Sequence, residues 1–536
     1  MARKIVIDPV TRIEGHLRVT AVVEDGVVTD AWNTTTLFRG FEIFMKNRDP
    51  RDIWHFAMRI CGVCPTAHGW NGVRASEMAM GVGRMDDATR LVRNMMEASQ
   101  IAYDHILWFY VLNAFDYVNV PNALRAKPTT PALRAVQDQV RAVVESGQLG
   151  PFAGQYWDHP GYKLPPELDL ELTAHYLLAI EAQQTANDAG AVIMGGKFPM
   201  IMNYAPGGVT QLPPPEQIAF FKSRMTIVKK FIDDIMIPDL LAIAPHYMDL
   251  ANEGKGHGNY LSWGVLDEKS QDPYDRLFPR GGIFAKDLTD TLGFLSTKPG
   301  AAVVPVRKVD PDDTRMFTGH SWFSDGTGNG RHPLEVGQED IEFTQLAPID
   351  GPELPGEKYD WTQAVRYGND SLPMEVGPLA QMLVSYGSGR AEARAVVDST
   401  LRAIGAPGKI ELLQSDLGRI AARVLKAKIN IDNAVRWAEE LEALGPKAPV
   451  NSMPEVPESG VGKGGWDAPR GALCHWVRIK DHRVDTFSAV PASNWNFSPR
   501  DDKGVRGPVE ECLVGHTVED AERPLEILRL VHSFDP

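Results

Sequence analysis

Cys61 and Cys64 flank Gly62-Val63 in the segment Arg59-Ile60-Cys61-Gly62-Val63-Cys64-Pro65-Thr66-Ala67-His68, where residue types and spacing could support metal or redox chemistry. Two cysteines three positions apart can turn both sulfurs toward one centre, and Gly62 removes a side chain from the crowded side of such a turn. Thiolate sulfur suits a soft metal. Three plainer readings stand beside that one: a redox disulfide, half of a structural zinc site, or two unrelated buried thiols. Zinc needs two more ligands, which Cys474-His475 or Cys512 with His516 could offer. Spacing alone leaves these alternatives open.

The rest of the composition narrows the setting. Only four cysteines occur in 536 residues, far below the density of a disulfide-stapled secreted scaffold. A net charge of −15 weighs against nucleic acid as the main partner, because phosphate binding needs a basic face. Hydrophobic content of 43% and charged content of 23% are ordinary for a globular protein. The amino terminus, Met-Ala-Arg-Lys-Ile-Val-Ile-Asp-Pro, lacks the apolar run of a signal peptide. No stretch reaches 18 uninterrupted apolar residues, so neither a membrane span nor an export signal of its own is expected.

The elements that must position the cysteines follow from periodicity. Residues 4–35 read as strands, with Leu17, Val19, Ala21 and Val23 alternating with other residues and a hairpin turn at Glu24-Asp25-Gly26. From about residue 84 the step changes to three and four: Leu91, Met95, Ala98, Ala102, Ile106 and Phe109 form the stripe of a long helix. The same step recurs from Ile218 to Ile235, stopped by Pro238, and from Leu417 to Ala434; a weaker helix covers about 168–193. Four long helices predict a bundle core. Irregular Gly/Pro-rich stretches at roughly 195–215, 251–360 and 445–470 are long enough to serve an interface or a site. The expected class is α+β, mainly α, as a single domain: a strand-rich region 1–83 carrying the cysteine pair, a helix bundle 84–445 with insertions, and a mixed region 446–536.

Six separated motifs share an order with a known family. They are Asp8-Pro9-Val10-Thr11-Arg12-Ile13-Glu14-Gly15-His16, Phe38-Arg39-Gly40-Phe41-Glu42, the Arg59–His68 segment, Pro373-Met374-Glu375-Val376-Gly377-Pro378-Leu379, Ala468-Pro469-Arg470-Gly471-Ala472-Leu473 with His475-Trp476, and Asn494-Trp495-Asn496 through Ser498-Pro499-Arg500-Asp501. Nearly end to end, the chain resembles the large subunits of nickel-iron hydrogenases. In that family four cysteines hold nickel, two of them bridging to an iron that carries carbon monoxide and cyanide.

The resemblance implies roles residue by residue. Cys61 and Cys64 are the amino-terminal pair of nickel ligands, with Cys64 bridging to iron. Glu14 is the proton acceptor beside a nickel-bound cysteine, a task that needs a carboxyl tuned toward working pH. Arg470 sits over the open face of the metal pair, with Pro469 and Asp116 around it, where a planar guanidinium can hydrogen-bond cyanide. His68 donates to a cysteine sulfur without binding metal. Glu42 binds magnesium near the carboxyl terminus. Ser493 is a candidate cyanide partner, although the spacing from Pro491 to Trp495 is one residue longer than in familiar relatives. Asp535 belongs to the family's terminal Asp-Pro and joins the catalytic set.

The implied reaction is reversible heterolytic splitting of H2 with electrons leaving the subunit. No cysteine set remains for an iron-sulfur cluster, so clusters are expected only in a partner, the iron-sulfur small subunit, in a heterodimer or a dimer of heterodimers. The motif wording resembles the respiratory uptake branch. That implies membrane association through partners, a cytochrome or quinone-linked protein among them, at the outer face of the cytoplasmic membrane; a cytoplasmic location is the alternative. Two rivals remain at this stage: the related quinone-proximal subunit of respiratory complex I, without nickel, and a zinc-stabilised structural subunit using Cys61, Cys64, Cys474 and Cys512.

Three departures from the family stand out. The second cysteine pair belongs to a terminal Asp-Pro-Cys-x-x-Cys-x-x-His, whereas this sequence reads Phe534-Asp535-Pro536 and stops. Truncation ahead of that pair is the expectation. Phe198 stands where relatives often carry His, and Gln363 at a commonly basic position.

Overall fold

The alternating residues of the first 35 positions form an antiparallel sheet, β1 (Arg3–Ile7), β2 (Leu17–Glu24) and β3 (Val27–Thr35), in that order. Asp25-Gly26 links β2 to β3 with both residues at positive φ, 50° and 79°. A two-residue hairpin that matches strand twist demands that backbone, and Asp-Gly adopts it readily. The buried face of the sheet, with Leu17, Val19 and Ala21, shares a core with Val509, Leu513, Ile527 and Val531 from the far end of the chain. The first and last segments are thereby held against each other.

These features come from a computed structural model, which describes residues 2–148, 156–196, 201–288, 304–324, 330–336, 341–344, 356–445 and 453–536. Phe198 and parts of all three irregular stretches lie outside them.

Beyond Thr35 the strand-rich expectation for residues 1–83 fails. Short helices at Phe41–Phe44 and Ile53–Ala57 lead to α1 (Pro65–Ala79). Thirteen of the 15 residues of α1 are buried, from Pro65 to Ala79, with only Arg74 and Met78 reaching solvent. A helix buried all round carries no apolar stripe, so periodicity could not announce it.

The bundle is formed by α2 (Asp87–Leu107), α3 (Pro166–Met194), α4 (Pro215–Phe231) and α5 (Asp416–Leu444). α2 packs on α3 and α5, and α4 packs on the same two helices. Caps fix the starts of α2 and α5: the Asp86 carboxylate accepts from Thr89 N–H at 3.0 Å, and Ser415 Oγ accepts from Gly418 N–H at 3.0 Å. Leu91, Met95, Ala98, Ala102 and Ile106 are all buried in the shared core. Pro238 does not stop the third stripe. A π turn over Ile232–Met236 follows α4, and the chain continues as the helix Ile237–Ile243. Pro238 falls directly after that π turn, whose irregular hydrogen bonding accommodates a proline inside a continuous helical run.

After the bundle come β4 (Ser459–Lys463), β5 (Trp466–Ala468), β6 (Gly471–Lys480) and β7 (Arg483–Val490), with β6 pairing to each of the other three. α1 lies against this sheet, and Trp70 stacks on Trp466 with ring centroids 3.8 Å apart. The cysteine pair, at the start of α1, is thus carried to the β5–β6 hairpin. The last helix, α6 (Leu525–Ser533), returns the chain to the same place. Among the described residues no helix is long and apolar enough to cross a membrane.

Candidate metal centre

Cys61 leaves the short turn Met58–Ile60 in an extended conformation, φ −133° and ψ 129°, and Cys64 caps α1 with Pro65 in its first turn. This reversal folds the pair together, so that Cys64 N–H donates to Cys61 Sγ at 3.2 Å. Gly62 is not there to relieve crowding: a Cβ at that position would meet nothing within 4 Å. The turn opens toward a cavity, which removes the steric reason expected for it.

The two thiols influence one another. A hydrogen bond from the Cys64 side chain holds Cys61 below the ordinary thiol range, against burial and with help from the Arg470 charge. The same bond and burial push Cys64 well up. The pair sheds one proton easily, and the second leaves readily only with a cation to receive the charge.

Both cysteines line a cavity of about 470 Å³ together with Glu14, Glu42, His68, Arg470, Ser493 and Pro536. Glu14 lies in the loop between β1 and β2, and its N–H donates to Pro536 O at 3.0 Å. Burial raises the Glu14 pKa, the Arg470 charge opposes the rise and the Asp535 charge adds to it. Glu42 is in the first turn of Phe41–Phe44, and Ser493 lies in the short helix Ala492–Asn496.

Arg470 owes its position to a tight turn. Ala468 pairs with Gly471, which makes Pro469-Arg470 the two-residue tip of the β5–β6 hairpin. Gly471 has φ 126°, and a Cβ there would lie 2.4 Å from Gly377 N. Only glycine allows that close backbone approach. From this tip the buried guanidinium donates through Nη1 to Asp104 Oδ2 at 3.1 Å, while Nη2 lies 3.0 Å from Asp535 Oδ1. Nε is buried without a hydrogen-bond partner. Burial raises the Asp104 pKa to about 7, even with Arg470 opposing it.

Asp116 does not belong to this group, contrary to expectation. It accepts from Arg12 Nη2 at 2.5 Å and faces His532 Nδ1 at 2.6 Å. Burial alone would raise its pKa, but Arg12 and His532 hold it near 2. The acid beside Arg470 on the bundle is Asp104, which the sequence reading passed over. Its signal was a carboxylate in α2 two positions before the stripe residue Ile106.

The remaining expected residues divide. His68 is buried and lines the cavity, but its described hydrogen bond runs from Nδ1 to His475 Nε2 at 3.1 Å, not to a sulfur. Gln363 lines the cavity with Nε2 unpaired. Cys474 packs with Trp476 and Val490 in one core cluster, and Cys512 packs with Val509 and Leu513 in another. The four cysteines therefore do not converge, and the zinc-scaffold rival fails. Among the described residues no three His, Cys, Asp or Glu side chains are grouped to hold a metal.

Comparison with known proteins shows the family of the chain. A family profile described as nickel-dependent hydrogenase matches residues 39–536, and one described as HoxL-like matches residues 4–34. The uptake hydrogenase large subunit of Rhodobacter capsulatus is 37% identical, covering 100% of this chain and 94% of its own length. The hydrogenase-2 large chain of Escherichia coli strain K12 is 35% identical, covering 100% and 96%. A nickel-iron-selenium hydrogenase from D. vulgaris Hildenborough, solved in the reduced state, superposes with a TM-score of 0.81 at 31% identity, covering 100% of this chain and 98% of the other. These matches set aside the complex I rival. The chain belongs to the nickel-dependent hydrogenase family, among its large subunits.

Proposed function

We propose that this chain splits H2 heterolytically at a nickel-iron centre for which Cys61 and Cys64 supply the first two sulfurs, Cys64 being shared with iron, and that electrons pass to an iron-sulfur small subunit. The observation that carries this reading is a pair of cysteines folded against one another in one cavity that a buried arginine also lines. The donors fit the group: soft sulfur suits nickel and low-spin iron, and a cation removes the obstacle to the second deprotonation. The unpaired Nε of Arg470 supports the same fit, because a buried guanidinium donor left without an acceptor is costly and a cyanide on iron offers one. The reading needs two more sulfurs, and the positions of Cys474 and Cys512 exclude them as the source.

The metal pair, when bound, supplies the redox chemistry and the polarisation of H2. The chain supplies the rest. Glu14, which lines the same cavity as both sulfurs, would accept and return the proton at a cysteine sulfur. Arg470, held by buried carboxylates, would present a fixed donor to the bound group without reorganisation. Asp104 and Asp535 anchor that guanidinium from two directions, with Pro469 shaping the turn that aims it.

The finer assignments rest on family likeness. They are carbon monoxide and cyanide on iron with Ser493 beside one cyanide, a magnesium with Glu42 as one oxygen ligand, and the chain acting as a single domain. Respiratory uptake, association with a membrane cytochrome or quinone-linked partner on the outer face of the cytoplasmic membrane, and pairing of heterodimers belong to the same reading. Metal analysis of the purified complex tests it: nickel and iron near one each are expected. Cys61→Ser and Cys64→Ser should each lose nickel and hydrogen oxidation together. Retained nickel with normal turnover in either variant overturns the site.

A further inference from the structure

The inner face of the bundle carries buried charges that the proposed centre does not use. Glu97 and Asp104 lie two turns apart on α2, and Lys426 comes in from α5, where Asn430, one turn further on, donates to Ala98 O of α2 at 2.9 Å. Lys426 feels the charges of both acids, of Asp467 on β5 and of Arg423 one turn earlier on its own helix, and its Nζ lies 5.7 Å from the centre of the Phe278 ring. Glu97 and Lys426 are fully buried. Neither oxygen of Glu97 nor the nitrogen of Lys426 has a hydrogen-bond partner, and the Trp466 indole bears on Glu97 only from outside bonding geometry. His105, buried in the same place, is kept neutral by burial and by the nearby cations.

Four buried acids, Glu97, Asp104, Asp467 and Asp535, meet three buried bases, Lys426, Arg423 and Arg470. Were all of them ionised, one negative charge would stand uncompensated away from water, and a dry interior resolves that by protonating an acid. Asp104 and Asp535 both face Arg470. Asp467 accepts from Ser262 Oγ, Trp263 N–H and Gly264 N–H at 2.5, 2.9 and 3.1 Å. Glu97 has neither a guanidinium nor a backbone N–H, so the proton belongs there. Burial carries its pKa to about 8 with Lys426 opposing the rise, and burial lowers Lys426 to about 8, so both hold a proton at neutral pH.

Lys426 is the base that completes this balance. Without it two of the four acids would have to be neutral, and the second proton would fall on a carboxylate that holds Arg470, since burial has already raised Asp104 to about 7. We infer that Glu97 and Lys426 are positioning residues for Arg470: an un-ionised Glu97 carboxyl and a Lys426 ammonium balance the buried charge, so that Asp104 and Asp535 both stay anionic on the guanidinium. Neither residue lines the cavity of Cys61 and Cys64, so their influence passes through the acids on Arg470. The charge states belong to the fold; only their effect on turnover rests on the proposed function.

Infrared spectra of the holoenzyme, with its small subunit, read the charge states at neutral pH. The parent should show the carbonyl stretch of a buried un-ionised carboxyl that is missing from Glu97→Gln; identical spectra in that region overturn the inference, whatever metal the site holds. Lys426→Met keeps the length of the side chain and removes its charge. At equal nickel content it should lower hydrogen oxidation about fivefold or more at neutral pH and move the acid limb of the pH profile up by about one unit, within the range of about one to three by which a nearby opposite charge lowers a carboxyl. Lys426→Arg keeps the charge and should hold the limb close to the parent's. A purely structural role would change stability and leave the limb in place, so an unmoved limb in Lys426→Met, or equal shifts in the Met and Arg variants, overturns the positioning role. A parent holoenzyme without hydrogen oxidation would instead refute the proposed function, and the infrared result would still decide the charge states.

Discussion

Arg470 Nη1 donates to Asp104 Oδ2 at 3.1 Å across 366 positions of sequence, joining the tip of a late hairpin to the last turn of a bundle helix. Asp116, the acid expected in that place, is committed to Arg12 and His532. The two aspartates should therefore fail differently. Asp104→Asn is expected to lower hydrogen oxidation at least tenfold, about 1.4 kcal/mol in the barrier, with nickel retained. Asp116→Asn leaves Arg12 and His532 without their buried anion and should destabilise the fold by about 3 kcal/mol or more. Turnover, nickel content and melting temperature of the two variants separate the cases; equal losses of stability would contradict the assignment.

Glu14 lies between a burial that raises its pKa and an arginine that opposes the rise. Glu14→Gln keeps the shape and removes the titrating group. Exchange of H2 with D2O should be lost while nickel and iron remain bound. Normal exchange in that variant would remove Glu14 from the proton path.

His516 joins Asp416, at the start of α5, to Glu253, with Nε2 2.9 Å from Asp416 and Nδ1 2.5 Å from Glu253. Burial alone would lower its pKa, but the two carboxylates raise it to about 10. The folded pKa exceeds the ordinary value near 6.5, so the stabilisation is complete below pH 6.5 and is lost as pH rises toward 10. It amounts to roughly 3–5 kcal/mol at about 1.4 kcal/mol per pH unit. Chemical denaturation at pH 6.5 and 10 should show a larger loss for the parent chain than for His516→Gln; parallel losses would refute the coupling.

Gly471 at φ 126° leaves 2.4 Å between a would-be Cβ and Gly377 N. Gly471→Ala must displace one backbone strand or the other, and with it the Arg470 turn. A loss of about 2–3 kcal/mol is expected from the strain and the clash together, seen as a lowered melting temperature. An unchanged melting temperature would mean the hairpin tip relaxes freely.

Much of the architecture was legible because its signal is local. The Asp25-Gly26 turn, the alternation in β2, and the stripes of α2, α4 and α5 each depend on residues within one element, and burial acts on them through a repeating period. Where that period is hidden the reading failed. α1 is buried on most of its surface and mixes His68, Asn71 and Glu77 with apolar residues in its buried positions, so it showed no apolar stripe. Pro238 looked like a stop because the π turn that accommodates it depends on packing, not on the residues beside it.

The site divides along the same line. The sequence by itself determined a family resemblance, carried by the wording of motifs such as Cys61-Gly-Val-Cys64, Pro469-Arg470-Gly471 and the Glu in Arg-Ile-Glu-Gly-His, since wording is a property of the chain; that Glu14, Cys61, Cys64 and Arg470 line one cavity is a property of the fold. Which acid holds Arg470, whether Cys474 and Cys512 reach Cys61, and which group His68 meets were decided only by the tertiary structure. Those are contacts between segments hundreds of residues apart, set by how α1, α2 and the β5–β6 hairpin pack, and a carboxylate carries no mark of its partner until packing brings the charge to it.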